Sequence, residues 1–132
     1  MRDNMSSVID TNVIVAIIFE DDANHDKAVK LWETLNEAYI PMIAIVELGY
    51  FLIKHKINLS IIGRILQDPK IKVVENTLQD IYFTINHKDS IKHYDDFNDL
   101  MILSTAIRLG LPLVTFDEEL LNLYNRLKTD AQ

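Results

Sequence analysis

Short apolar runs alternate with longer amphipathic segments along most of the chain. The short runs, which predict strands, are Val8–Asp10, "YIPMIA", "IKVVE" and "PLVTF". Between them lie segments whose apolar residues recur every three or four positions, the spacing of a helix face. Because a parallel crossover needs a long connection such as a helix, this order indicates a parallel sheet. We therefore predict an α/β fold in which helices cover both faces of a central, mostly parallel sheet.

The predicted helices differ in how their apolar residues are distributed. In "NHDKAVKLWETLNEA" and the Tyr that follows it, apolar residues recur at Ala28, Leu31, Trp32, Leu35 and Tyr39. Their steps of three and four predict one helix with a single apolar face. The next helix, "IVELGYFLIKHK", is apolar nearly all round and is expected to be buried. The clearest helix, "FNDLMILSTAIRLG", is expected to end at Gly110, because glycine favours the left-handed conformation that stops a helix.

Composition places the chain among globular proteins and excludes several classes of site. With 132 residues and 48% hydrophobic content, residues 1–132 are expected to form one domain. The apolar run "VIVAIIF" is too short to span a bilayer, so we expect a cytoplasmic protein that does not enter the membrane. The absence of cysteine excludes disulfides and thiolate metal sites. A net charge of -7 argues against nucleic-acid binding through a broad basic face, although it leaves a metal-dependent nuclease open.

Polar residues interrupt the first apolar run at "IDTN". Asp10 follows a predicted buried strand, and a carboxylate in such a place needs a partner or must become neutral. Asp also caps helix N-termini by accepting bonds from free backbone N–H groups. Taken alone, Asp10 is therefore equally well explained as the cap of the helix that follows or as part of a site.

Other acidic residues are predicted at the same edge of the sheet. Asp117 follows the strand "PLVTF", Asp99 opens a helix, and Glu47 lies in the helix after "YIPMIA". In open parallel sheets the ligand site lies at the carboxyl ends of the strands, where these connections cluster. Each Asp has a structural explanation as well, since Asp96 and Asp99 have the spacing of a capping box and Asp117 is placed to cap the last helix. Glu47 is harder to explain structurally, because a Glu in an apolar helix is rarely buried without a partner.

Four converging carboxylates indicate a metal site. Carboxylates held together repel one another unless they are protonated or bridged by a cation, and hard oxygen ligands favour Mg²⁺ or Mn²⁺ over zinc. A metal ion with open coordination positions for water and phosphate can catalyse hydrolysis of a phosphodiester.

The acidic motifs, taken in order, resemble those of the PIN-domain family and, within it, the ribonuclease toxins of the VapC type. The motifs that carry the resemblance are "IDTN", "VEL", "DFNDLMILSTA" and "LVTFDEEL". They span roughly residues 8–121. The fold implied is a PIN-like three-layer arrangement with a central, mostly parallel sheet. The family commonly ends in another short strand, which "NRLKTDAQ" does not resemble, so the resemblance leaves that edge of the sheet open.

The resemblance also implies an activity, a site and partners. It implies a Mg²⁺- or Mn²⁺-dependent endoribonuclease that cleaves single-stranded RNA and acts as the toxin of a type II toxin–antitoxin pair. The catalytic and metal-binding residues implied are Asp10, Glu47, Asp99 and Asp117, with Asn12, Asp96 and Thr115 as accessory groups. The partners implied are RNA and a small antitoxin protein that blocks the acidic cleft. A homodimer is expected on other grounds, because the nearly all-apolar helix from Ile45 to Ile53 exceeds what one small domain is expected to cover and leaves a patch suited to a symmetric interface.

Three other functions are weighed against this one. A phosphatase of the haloacid dehalogenase type requires an Asp two residues after the first, where this chain has Asn12. A receiver domain requires an Asp after a central strand, and "IKVVEN" supplies none. A PIN-like module that binds RNA or protein without cutting remains the alternative, and retention of all four acids argues against it.

Overall fold

The computed structural model describes residues 5–131 and contains one four-stranded sheet; residues 1–4 and 132 of the predicted domain lie outside this range. The strands are β1 (Ser6–Ile9), β2 (Glu37–Pro41), β3 (Ile71–Val74) and β4 (Leu113–Val114). They lie in the order β3-β2-β1-β4, and every pair is parallel. The register pairs Val8 with Tyr39 on one side and with Leu113 on the other. The predicted parallel α/β architecture is confirmed.

Seven α-helices and one short 3-10 turn connect the strands within the described range. They are α1 (Thr11–Ile18), α2 (His25–Thr34), α3 (Met42–Lys54), α4 (Ser60–Ile65), α5 (Leu78–Asn86), the 3-10 turn (Lys88–Ser90), α6 (Tyr94–Leu109) and α7 (Glu118–Ala131). Helix α6 ends as predicted, because Gly110 adopts the left-handed conformation with φ 67°. Helix α7 continues to Ala131, so the chain shows no fifth strand as far as it is described.

Helices cover both faces of the sheet. Successive side chains of a strand point to opposite faces, and Val8 and Ile9 in β1 are both completely buried. Because both faces are covered, β1 forms a continuous apolar run rather than an alternating one. No helix in residues 5–131 combines the length and apolar character needed to cross a membrane.

Helix α2 is shorter than the sequence predicted. Helix α2 ends at Thr34, and the segment predicted to continue it turns at Leu35 and joins the sheet as β2. Pairing of Glu37 with Ser6 explains the change, since strand pairing outweighs helical periodicity at the end of a segment. As a result Tyr39 belongs to the sheet, and Trp32 is only partly buried against the core.

Helix α3 is not buried all round, contrary to the prediction from its sequence. Leu48 and Leu52 are completely buried, whereas a second set of apolar residues lies on the surface. The exposed set is Met42 (43%), Val46 (41%), Tyr50 (68%) and Ile53 (61%). Their spacing of four, four and three residues places them on one stripe of the helix. We call these four residues the α3 stripe.

A buried polar network joins α5 to α6. Asp80 is completely buried and accepts hydrogen bonds from Arg108 Nε (3.1 Å), Arg108 Nη2 (3.0 Å) and Ser104 Oγ (2.7 Å). Asn76 donates to Asp80 Oδ2 and accepts from the backbone N–H of Ile43 in the first turn of α3. The network therefore fixes the relative positions of the helices that carry Glu47 and Asp99.

Candidate functional site

The strand order creates a crevice between β1 and β4. The chain moves from β1 to β2 to β3 in one direction and later returns to place β4 on the other side of β1. Ligand sites of open parallel sheets lie at such a reversal, outside the carboxyl ends of the strands. Asp10 directly follows β1, and Thr115 directly follows β4. The sheet therefore brings residues 105 positions apart to one point.

Asp10 lies in this crevice with 3% of its surface exposed. One carboxylate oxygen accepts a hydrogen bond from the backbone N–H of Thr11 (2.7 Å), so Asp10 caps α1. The other oxygen accepts from Thr115 Oγ1 (2.7 Å). Burial raises the pKa of Asp10 to about 6, and the nearby charges of Glu47 and Asp117 add to that rise, although the two hydrogen bonds oppose it.

Glu47 lies in the second turn of α3 and is held by two residues that sequence reasoning missed. Thr11 Oγ1 donates to Glu47 Oε1 (2.7 Å), and Asn98 Nδ2 donates to Glu47 Oε2 (3.1 Å). Thr11 lies within the quoted motif "IDTN". Asn98 directly precedes Asp99 and lies in the second turn of α6, where Asn is less favourable than in a cap. No such signal was present in the sequence, because a helix beginning at Phe97 places Asn98 in the first turn.

Thr115 is the hub of the hydrogen bonds on the β4 side. Its hydroxyl donates to Asp10, and its oxygen accepts from Asn12 Nδ2 (3.3 Å) and from the backbone N–H of Asp117 (3.0 Å). A hydroxyl has one donor and two acceptor sites, so Thr115 uses its full capacity. Asn12 Oδ1 also accepts from the N–H of Phe116 (3.2 Å). These bonds hold Asp117 against the end of β1.

Asp99 is the most strongly perturbed acid of the cluster. It lies in the second turn of α6, because that helix begins at Tyr94 rather than at Phe97 as the sequence indicated. Burial, followed by the charges of Asp10, Glu47, Asp117 and Asp96 in that order, raises the pKa of Asp99 to about 8. The four predicted acids therefore lie within electrostatic reach of one another.

Asp96 serves as a helix cap, and the capping pair differs from the predicted one. Its Oδ2 accepts from the backbone N–H groups of Lys92 (2.8 Å) and His93 (3.1 Å). The capping box at the start of α6 is thus formed by His93 and Asp96, and the predicted pairing of Asp96 with Asp99 is wrong. These backbone hydrogen bonds lower the pKa of Asp96. Asp117 also caps a helix, because its Oδ1 accepts from the N–H of Leu120 (3.2 Å).

The donor chemistry of the cluster fits a hard divalent cation. Every charged donor is a carboxylate, and such a cation would relieve the repulsion that raises the pKa of Asp99. Over residues 5–131, however, no three His, Asp or Glu side chains are already arranged to hold an ion. Hydrogen bonds from Thr11, Asn98 and Thr115 occupy three carboxylate oxygens of Asp10 and Glu47. Each of these oxygens keeps a second lone pair for a cation, so the hydrogen bonds orient the carboxylates without blocking them. Because the acids are not yet arranged around an ion, binding a cation would require some acidic side chains to move closer together.

Two cavities differ sharply in their chemistry. A cavity of about 560 Å³ opens beside Asp99 and Asp117 and extends between the start of α6 and one face of α7. A smaller cleft of about 380 Å³ lies away from the carboxylate cluster. Its walls are mostly apolar and include Ile14, Ile17, Trp32, Ile61 and Ile65. The larger cavity is lined by two of the four acids, so it is the one connected with the candidate chemistry.

Comparison with known proteins identifies the family. The family model described as "PIN domain" matches residues 7–126, and the chain belongs to this family. The comparison with curated proteins gives no match.

Three solved structures show the same fold. VapC20 of Mycobacterium tuberculosis, described as a sarcin-ricin loop cleaving toxin, is 17% identical with a TM-score of 0.72, and the match covers 86% of this chain and 91% of that chain. A toxin–antitoxin complex from Klebsiella pneumoniae gives 18% identity and a TM-score of 0.62, covering 84% and 86% of the two chains. VapBC2 from Rickettsia felis, bound to a DNA fragment from its promoter, is 22% identical with a TM-score of 0.61, and the match covers 87% of this chain and 90% of that chain.

Proposed function

We propose that this protein is a metal-dependent endoribonuclease that hydrolyses phosphodiester bonds of single-stranded RNA. The observation that carries the proposal is the convergence of Asp10, Glu47, Asp99 and Asp117 at the crevice between β1 and β4. Carboxylates brought together in a crevice suit the binding of a divalent cation and a phosphate. Membership of the PIN-domain family and the shared fold of the VapC structures support the same activity.

The four acids are the residues that would hold Mg²⁺ or Mn²⁺. When bound, such a cation supplies an activated water and neutralises charge on the phosphoryl oxygens. Before it binds, Asp99 holds a proton at neutral pH, because its pKa of about 8 lies above 7. Cation binding is therefore expected to release a proton from this residue.

The polar neighbours of the acids act as positioning residues. Thr115 and the N–H of Thr11 fix both oxygens of Asp10, so this carboxylate has one orientation. Thr11 Oγ1 and Asn98 do the same for Glu47. Hydrogen bonds behind ligands of this kind orient them and tune their affinity. Asn12 has a supporting role through its bonds to Thr115 and Phe116.

A cleavage assay separates this proposal from its alternative, a PIN-like module that binds RNA or protein without cutting. Purified protein is incubated with a fluorescently labelled single-stranded RNA in Mn²⁺, and parallel samples contain EDTA. We expect cleavage in Mn²⁺ and intact RNA in EDTA. Intact RNA in both samples, with retained RNA binding, would instead support the binding module.

We further propose that the protein is the toxin of a type II toxin–antitoxin pair and acts in the cytoplasm. The support is the shared fold with VapC20 and with two toxin–antitoxin complexes. Its partner would be a small antitoxin that blocks the acidic cleft with a basic side chain. Expression of the protein alone should arrest growth of a bacterial host, and Asp99→Asn should abolish the arrest. Normal growth with active wild-type protein would contradict the toxin assignment.

The α3 stripe supports a homodimer. Four exposed apolar side chains on one helix face form the kind of patch that subunit interfaces cover. Light scattering should give the mass of two chains for the wild type. The double variant that combines Val46→Lys and Tyr50→Lys should give the mass of one chain. Leu66→Lys, at an exposed apolar position outside the α3 stripe, should leave the dimer intact. A monomeric wild type across a broad concentration range would contradict the proposal.

A further inference from the structure

The larger cavity is lined by Asp99 and Asp117 and extends well beyond these two acids. Its other walls come from the segment before α6, from the first turns of α6 and from α7, and they include Lys92, His93, Glu119 and Arg126. With a volume of about 560 Å³ it is larger than a single phosphate or a hydrated ion needs. The part of the cavity away from Asp99 and Asp117 therefore has room for another part of a substrate.

One face of α7 forms a continuous wall of this cavity. Glu119, Asn122, Leu123 and Arg126 follow the i, i+3, i+4, i+7 spacing of a single helix face. Eight residues separate Glu118, the first residue of α7, from Arg126, which corresponds to about 12 Å along the helix axis. A ligand that contacts both the acidic cluster and Arg126 must be longer than one phosphate.

Two cations of the cavity, Lys92 and Arg126, form no salt bridge within residues 5–131. Both are exposed, and the sole salt bridge in that range joins Arg108 to Asp80 elsewhere. Other exposed Lys and Arg side chains of residues 5–131 also form no salt bridge, so what distinguishes Lys92 and Arg126 is their place in the cavity that Asp99 and Asp117 also line. The nearby Asp96 carboxylate accepts hydrogen bonds from backbone N–H groups rather than from these side chains.

The remaining acids of the cavity restrict where an anion can lie. Asp89 and Glu119 repel a phosphate, so the cavity is not a general basic surface. A phosphate is favoured only close to Lys92 and Arg126.

We propose that this cavity is a backbone subsite, in which Lys92 and Arg126 bind an RNA phosphate next to, but distinct from, the phosphate that is cleaved. The inference rests on the proposed nuclease function and assigns the side of the site along which the strand runs. Contacts to phosphate position a strand without reading its sequence, so the subsite contributes affinity to every RNA alike.

Binding is measured apart from cleavage to test the subsite. All variants are made in the Asp99→Asn protein, so that the RNA stays intact in Mn²⁺. The protein is titrated into labelled oligonucleotides of uridine or of adenosine, and binding is followed by fluorescence anisotropy. A gel of the same samples verifies that the RNA is intact. The double variant that combines Lys92→Ala and Arg126→Ala is compared with a control double variant that combines Lys54→Ala and Lys72→Ala. The control pair removes the same charge from exposed positions outside the cavity.

The subsite predicts that the Lys92→Ala, Arg126→Ala pair weakens binding of both oligonucleotides by about ten-fold, while the control pair changes it little. The slope of log K against log salt should fall by about 0.7 for each phosphate of a single strand that the protein no longer neutralises. Equal affinity and slope for the two pairs would overturn the subsite. Cleaved RNA in the Asp99→Asn samples would instead contradict the catalytic assignment, and a wild type that neither binds nor cuts RNA would overturn both.

Discussion

Thr115 Oγ1 donates a 2.7 Å hydrogen bond to Oδ2 of Asp10, joining the ends of β4 and β1. The same hydroxyl accepts from Asn12 and from the backbone of Asp117. One small side chain therefore connects three residues of the candidate site. Because Asp10 is almost completely buried, its position depends on this bond rather than on solvent.

Asp99→Asn should abolish RNA cleavage while the protein stays folded. The substitution removes a carboxylate from the cluster, and with it both the cost of burying its charge and the repulsion from the neighbouring acids. Cleavage of labelled RNA in Mn²⁺ is measured against Asp95→Asn, an exposed acid in the first turn of the same helix. Equal cleavage rates for the two variants would remove Asp99 from the site.

Stability in EDTA should fall as pH rises from about 4 to about 8. The folded-state pKa of Asp99 is about 8 and that of Asp10 about 6, both above the ordinary value of 3.8, so the folded state holds more protons in this window. The contribution of these two acids to stability is complete below pH 3.8 and is lost as the pH rises through their folded-state pKa values. Melting temperatures across this range should fall less steeply for Asp99→Asn than for the wild type. Parallel curves would contradict the raised pKa.

Asp10→Asn should have opposite effects without and with metal. In EDTA the variant should melt higher than the wild type, since it removes a buried charge from a group of repelling acids and Asn can still cap α1. We expect this gain to exceed the loss of the hydrogen bond from Thr115. Excess Mn²⁺ should reverse the order, because a ligand at 100 times its dissociation constant adds about 2.7 kcal/mol and the variant binds it more weakly. Equal metal-induced shifts in the two proteins would leave Asp10 as a helix cap alone.

Asn98→Ala should lower activity without changing the acids themselves. Asn98 holds Oε2 of Glu47, and loss of a hydrogen bond behind a ligand typically costs about 10- to 100-fold in activity or metal affinity. The Mn²⁺ concentration for half-maximal cleavage should rise. Asn125→Ala, at an exposed position of α7, is the matched control. An unchanged metal requirement in Asn98→Ala would show that this bond has no positioning role.

Arg108→Leu should destabilise the protein strongly. It leaves the completely buried carboxylate of Asp80 without its cation, which typically costs about 3–5 kcal/mol. Burial tends to raise the pKa of Asp80, but the hydrogen bonds from Arg108, Ser104, Thr77 and Asn76 outweigh it and hold the pKa below its ordinary value. Urea unfolding at pH 7 measures the loss. Lys30→Leu on the exposed face of α2 should change stability by less than about 0.5 kcal/mol.

The differences between sequence and structure lie mainly where elements meet. The segment after Thr34 has helical spacing, but its backbone pairs with β1 and forms β2. Helix α3 is apolar on most sides, yet only one side finds a partner within the fold. Periodicity describes which faces of a segment are apolar, and it does not specify which neighbour will cover them.

The sequence alone determined the fold class, the parallel sheet and the edge at which the acids gather. The spacing of hydrophobic residues and the length of the segments between strands can be read from the sequence without knowing the tertiary structure. Only the tertiary structure decided which polar groups hold those acids. Thr115 reaches Asp10, and Asn98 reaches Glu47, only because β4 pairs with β1 and α6 packs against α3. Hydrogen bonds act over about 3 Å, so partners 51 or 105 residues apart become visible only when the strands and helices have been arranged in space.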